Sequence, residues 1–172
     1  MKLSEKSILL LLLYLNNREP IVGKTKFQKL VYVYEEEYHK QLELHKKLNL
    51  NEVNLFSFRP YHYGPFSDKL PISIKALVSL NYVKEKIEED AFSFEDRLGE
   101  RVSYELLDIG NCYVEEKILK YLDNYTLEKL SDFKSKYTKM STREIIRYVY
   151  VTYEEMTVNS RIKDDVLNGE EC

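Results

Sequence analysis

The sequence predicts a mainly α-helical protein with a small β-hairpin, arranged as a winged helix-turn-helix-like domain with further helices at its C-terminal end. Three observations carry that prediction. Only five glycines and four prolines interrupt 172 residues, which favours long regular elements over loops. Apolar residues recur mostly at helical spacing, whereas segments 82–87 and 102–106 alternate with the period of a strand. The resulting order of helix, helix, strand, helix, hairpin and helix is that of a winged helix. In such a domain the helix before the hairpin reads a major groove and the hairpin is the wing.

The first helix is expected over residues 4–16, with Ser4 or Ser7 supplying a cap oxygen and Ile8, Leu9, Leu12 and Leu15 forming an apolar stripe. Its apolar run, 8–15, follows Lys2 and Lys6 and so imitates a secretory signal. The run is too short to span a bilayer, and Asn16, Asn17, Arg18 and Glu19 follow it in place of small residues. A buried helix is expected, ended by Arg18-Glu19-Pro20. A longer helix begins at Gly23 or Lys24 on the period Phe27, Leu30, Val31, Tyr34 and Tyr38. Lys24, Lys26 and Lys29 fall in its first turns, where cations oppose the helix dipole. Two readings follow, an anion site or a solvated lysine face.

Residues 54–59 alternate in the manner of a short strand, leading into the stretch FRPYHYGPFSDKL at 58–70. There Gly64-Pro65 is expected to turn the chain, Ser67 or Asp68 to cap the next helix, and Phe58 and Phe66 to anchor both ends in the core. That helix is expected over 67–80, with Pro71 confined to its first turn. The hairpin after it carries a long acidic tip containing Glu88, Glu89, Asp90, Glu95, Asp96 and Glu100. Downstream, Val114, Ile118, Tyr121 and Leu122 define a helix that Asp108 is placed to cap. Leu127, Leu130, Phe133 and Tyr137 define another after Thr126. Ser141-Thr142-Arg143-Glu144 is a capping box for a further helix. The chain is polar from about residue 168 and is expected to fray there. Residues 1–110 are thus read as the winged-helix-like domain and 111–172 as a helical extension packed on it. A homodimer through Ile145, Val149, Tyr153 and Met156 is one expectation.

Charge narrows the function classes. The net charge is −3, but residues 1–86 hold 14 Lys/Arg against 9 Asp/Glu while residues 87–172 hold 12 against 20. A generic polyphosphate binder is basic overall, so any contact with duplex DNA has to be local and on the first half. The leading expectation is a non-enzymatic regulatory module that binds duplex DNA, with Lys24, Lys26, Lys29, Ser67, Lys69, Ser73 and Lys75 as the candidate nucleic-acid residues. Against them, the reading helix has no arginine, asparagine or glutamine for bidentate base contacts, and the acidic wing repels phosphate. The other expected ligand is a toxin-like or other partner protein, met by Arg59, Tyr61, His62 and Tyr63.

No catalytic constellation emerges. There is no Gly-x-Ser-x-Gly elbow, Cys112 has no histidine nearby in sequence, and Gly23-Lys24-Thr25 lacks the upstream glycine of a phosphate loop because position 18 is arginine. Two cysteines, Cys112 and Cys172, make no disulfide framework or metal spacing. Glu35, His39 and Glu43 share a helix face without converging ligands from another element, and read as a solvated stripe. No cofactor or metal is expected, and the protein is expected to be cytoplasmic and off the membrane. Most of the fifteen tyrosines fall on apolar stripes and read as core, with Tyr61 and Tyr63 the candidates for a surface role.

Three stretches together carry a resemblance. Lys24-Thr25-Lys26-Phe27-Gln28-Lys29-Leu30-Val31-Tyr32, then Phe58-Arg59-Pro60-Tyr61-His62-Tyr63-Gly64-Pro65-Phe66-Ser67, then Leu77-Val78-Ser79-Leu80-Asn81-Tyr82-Val83 resemble the YwgA-like proteins of bacteria and archaea. More distantly they are similar to the Panacea, or SocA-like, antitoxin domains. Tyr148-Val149-Tyr150 and Thr157-Val158-Asn159-Ser160-Arg161-Ile162 extend the first likeness. The resemblance implies a winged-helix-like module, with distant relatives that act as antitoxins or protein-binding adaptors. Pro71 and the acidic wing depart from a DNA-reading role.

Overall fold

The computed structural model describes residues 3–89 and 100–168. The protein is mainly helical, with one small antiparallel sheet and a separate two-stranded hairpin. Helix α1, Glu5–Arg18, is capped by Ser4, whose side chain accepts from the Lys6 N–H while the Ser7 hydroxyl answers the Ser4 N–H. The expected four-residue stripe is in fact an all-round apolar surface, since residues 7–13 and Leu15 are all buried. A helix that is apolar on every side belongs at the centre of a core. Its end leaves the right-handed region: Asn16, Asn17 and Arg18 have φ of 56°, 54° and 62°. Lys134 closes that end by donating to the carbonyls of Leu15 at 2.7 Å and Glu19 at 2.6 Å. Burial pushes its ammonium down to about 8.

Strand β1, Ile21–Val22, was not anticipated from the sequence because two residues show no periodicity. It pairs with β5, Glu100–Leu106, which pairs in turn with β4, Val83–Glu89, so the sheet order is β1-β5-β4. The β4–β5 register runs from Val83 opposite Leu106 to Glu89 opposite Glu100, as the alternation predicts. Val83, Val102, Tyr104 and Leu106 fill its inner face. Of the acidic tip, Asp90, Glu95 and Asp96 lie outside the described residues.

Helix α2, Lys24–Val33, continues into a π-helical turn, Tyr34–His39. The wider turn changes the phase of the helix and overturns the expectation of a solvated Glu35–His39–Glu43 stripe. Glu35 and His39 are buried. The Glu35 carboxylate accepts the N–H groups of Leu55 at 2.8 Å and Phe56 at 3.0 Å. Those two N–H groups therefore have no need of a neighbouring strand. This is why residues 54–58, expected to be extended, are irregular. On the same turn, Glu37 accepts from the hydroxyls of Tyr148 and, at 2.6 Å, Tyr153.

A short helix α3, Leu44–Lys47, precedes the hairpin of β2, Arg59–Tyr61, and β3, Gly64–Phe66. Tyr61 pairs with Gly64, so His62 and Tyr63 form the turn and Gly64-Pro65 lies in a strand, correcting the expected turn position. Helix α4, Lys69–Ser79, starts later than expected and holds Pro71 in its first turn. Ser67 caps it by accepting from the Leu70 N–H at 3.1 Å.

Helix α5, Asp108–Tyr113, runs into a π turn, Val114–Ile118, and a 3₁₀ turn, Leu119–Tyr121. Asp108 does not cap it, because its carboxylate reaches instead to Arg18 at 2.9 Å. Helix α6, Asn124–Lys139, is capped by Asp123, and α7, Thr142–Thr152, by the expected Ser141–Glu144 box. A 3₁₀ turn, Glu154–Thr157, and α8, Lys163–Asn168, complete the described chain. Helix α6 lies on α1 and α7 on α2, and residues from both segments expected as domain and extension share one core cluster. The stripe expected to dimerise is used inside the chain. Ile145 and Val149 are fully buried, and Tyr153 packs edge-on against Tyr32 with ring centroids 5.0 Å apart. Among the described residues no helix is long and apolar enough to cross a membrane.

A candidate partner-binding groove

Four elements leave a groove of about 410 Å³ between them: the first turns of α2, the β2–β3 hairpin, α4, and the distal inner face of the β4–β5 strand pair. Each wall is set by contacts between elements distant in sequence. Gln28 clasps the backbone of Ser67, its amide donating to the Ser67 carbonyl at 2.9 Å and accepting from the Ser67 N–H at 3.0 Å. This double bond fixes α2 against the start of α4. On β4, Glu85 and Ile87 follow Val83 on the inward face but extend beyond the core, leaving Ile87 57% exposed over the groove.

The hairpin wall depends on a close approach. Gly64 has φ +80°, and a Cβ there would sit 2.7 Å from Cε1 of Tyr150. Glycine meets both demands at once, tolerating the left-handed backbone and leaving room for the ring. Tyr150 is itself held by Ser160, hydroxyl to hydroxyl at 2.7 Å. From the same segment, the Arg161 N–H donates to the His62 carbonyl at 2.9 Å and the Asn159 amide reaches the Pro60 carbonyl at 3.5 Å. Two stretches a hundred residues apart in sequence thus meet as one joint.

With its backbone fixed in this way, the turn leaves Tyr61 37% and Tyr63 47% exposed at the mouth of the groove. Arg59 stacks over Tyr61, 4.8 Å from the ring centroid, and donates to the Asp68 carboxylate at 3.0 Å. His62 lies beside the Tyr61 ring at 4.2 Å. The expected partner-facing group is therefore brought together, although Arg59 and His62 support the tyrosines and are not among the groove's lining residues.

The expected DNA-facing group is dispersed. Lys29 is 2% exposed and donates to the Pro65 carbonyl at 2.9 Å, while Lys26 donates to the Thr138 carbonyl at 2.6 Å. Ser67 and Ser73 are buried, the second donating to Glu5 at 3.1 Å. Lys69 points toward Glu52, 3.9 Å away. Carbonyls and carboxylates contributed by distant elements draw these side chains inward or aside, which their local spacing does not reveal. Lys24 and Lys75 alone of the seven are exposed and line the groove, and neither makes an ion pair among the described residues.

The sequence reading missed Gln28, Ile74, Ile87 and Tyr104 as groove residues. Gln28 stood inside the quoted lysine motif, and its polar side chain on the apolar face was the available signal. The described lining residues offer lysines, one glutamate, a threonine and a glutamine among aromatic and aliphatic side chains, with no histidine, cysteine, serine or aspartate among them. Such a surface can bind an apolar group and orient a charged one. No family model matches the chain, and no curated protein or solved structure matches it either.

Proposed function

We propose that this protein is a winged-helix-like, non-enzymatic binding module that seats a segment of a partner protein in the groove between α2, α4, the short hairpin and the wing. The observation that carries this reading is the pair Tyr61 and Tyr63, held at the mouth of an apolar groove by a rigid glycine–tyrosine joint. Exposed aromatic side chains on a fixed backbone are the usual anchors of protein interfaces. The acidic residues Glu88, Glu89 and Glu100 on the wing and the inward turn of Lys26, Lys29, Ser67 and Ser73 argue against duplex DNA as the ligand. The likeness of three motifs to antitoxin-type adaptor domains agrees with a cytoplasmic role of this kind.

The test pairs two titrations on the full chain. A partner captured from the native cell should be retained by the wild type and lost by Tyr63→Ala, with thermal stability unchanged. Duplex DNA at low salt should show no saturable binding. Tight duplex binding that weakens steeply with salt, and that Lys24→Glu with Lys75→Glu removes, overturns the proposal in favour of a DNA reader.

A further inference from the structure

We infer that the groove selects an acidic segment: a stretch of partner chain with an aromatic or large aliphatic anchor next to a carboxylate. This rests on the partner-binding reading above and names the chemistry of its occupant. The described lining combines apolar and charged side chains. Tyr63, Ile74, Ile87 and Tyr104 form an apolar side suited to a single large side chain. Lys24 and Lys75 stand on two different elements facing the same space, exposed, with no carboxylate paired to either among the described residues.

The contrast with the other lysines gives this weight. Lys6, Lys40, Lys46, Lys47, Lys86 and Lys163 each have a carboxylate of their own chain within ion-pair distance. Lys26, Lys29 and Lys134 are held by backbone carbonyls. Lys84, Lys117 and Lys139 are also exposed without an ion pair among the described residues, but none of them lines the groove; Lys24 and Lys75 are the unpaired lysines that do. Among the described lining residues Glu85 is the one carboxylate, against the two exposed ammonium groups of Lys24 and Lys75, so this described lining carries an excess of positive charge. A neutral or basic occupant leaves that excess uncompensated, whereas an acidic one complements it. The volume of about 410 Å³ suits a few side chains and not a folded surface.

A random linear peptide library displayed against the immobilised full chain tests this directly, with counter-selection on Tyr63→Ala. Peptides dependent on Tyr63 should share Phe, Tyr, Trp or Leu beside Asp or Glu. Measured as labelled single peptides, they should bind about tenfold more weakly to Lys24→Glu/Lys75→Glu and lose most of their salt dependence there. Lys117→Glu, on the exposed face of another element, should leave affinity unchanged. Tyr63-dependent peptides that lack acids and bind the double variant normally overturn the acidic preference and leave the partner groove standing. If no peptide depends on Tyr63 or on Ile87→Asp, the groove reading falls with it.

Discussion

The two hairpins of this molecule are held by opposite means. The β4–β5 hairpin has seven residues per strand, a continuous register and a third strand beside it, so its own backbone ladder fixes it. The short hairpin has three residues per strand and draws its rigidity from outside: Tyr150 against Gly64, Arg161 on His62, Lys29 on Pro65, and Glu35 on the approach at Leu55 and Phe56. An isolated hairpin of this size is not stable in water. Tertiary contacts that each secure a few atoms have replaced ladder bonds, and the surface they expose can be displaced by changes far from it.

The strongest way to break this arrangement is Gly64→Ala. A side chain at φ +80° and 2.7 Å from the Tyr150 ring should cost about 3 kcal/mol, combining backbone strain with overpacking, as read by urea denaturation. Adding Tyr150→Leu should recover the packing part and none of the backbone part. Next is the acid response of the approach segment. Burial, opposed by the Phe56 and Leu55 N–H groups, holds the Glu35 carboxyl up at about 7. The folded chain thus keeps its proton where the unfolded chain has lost it, and this group raises stability as pH falls from about 7 toward 4.5. His39 acts in reverse: burial first, then His45 and Lys40, hold it down at about 4, so stability falls as pH drops below 6.5. The two slopes oppose each other between pH 4.5 and 6.5 in the wild type. Glu35→Gln should expose the histidine slope as a loss of about 2 kcal/mol across that window, measured by denaturation at each pH.

Smaller changes sharpen the contrast. Tyr150→Phe removes the hydroxyl bond to Ser160 and should lower stability by about 1 kcal/mol while weakening partner capture, with amide exchange in β4 and β5 unchanged. The least effect on stability should come from Ile87→Asp on β4, within about 0.5 kcal/mol because the side chain is largely exposed. Partner binding should nonetheless be lost, which separates the groove from the fold that carries it.

The parts legible in the sequence are those whose cause is local. The Ser4 and Ser141 caps and the start of α2 follow from residues within a few positions of each other, and β4 and β5 from the alternation within each strand. What escaped has its cause elsewhere in the chain. Lysines read as surface charge because they are seldom buried. Lys29 and Lys134 are buried because carbonyls of Pro65, Leu15 and Glu19 wait for them. The same holds for the groove. Tyr61 and Tyr63 stood out as aromatic residues in a turn, yet nothing in positions 58–70 foretells Tyr150 or Arg161 as the other half of the joint. The likeness that included 157–162 pointed to both halves without joining them.

The sealing of α1 by α6 also bears on how fast the molecule can be made. Lys134 to Leu15 and Asn16 to Ser135 each span 119 residues, and Lys26 to Thr138 spans 112. Contacts this distant form only after large loops have closed, which slows folding relative to a bundle built from neighbours. Until α6 docks, the most apolar helix of the chain has an open end and an uncovered side. Folding traps and self-association should therefore concentrate at that stage, and a stabilising change at the α1–α6 contact should raise the refolding rate only to the extent that this contact already exists at the barrier.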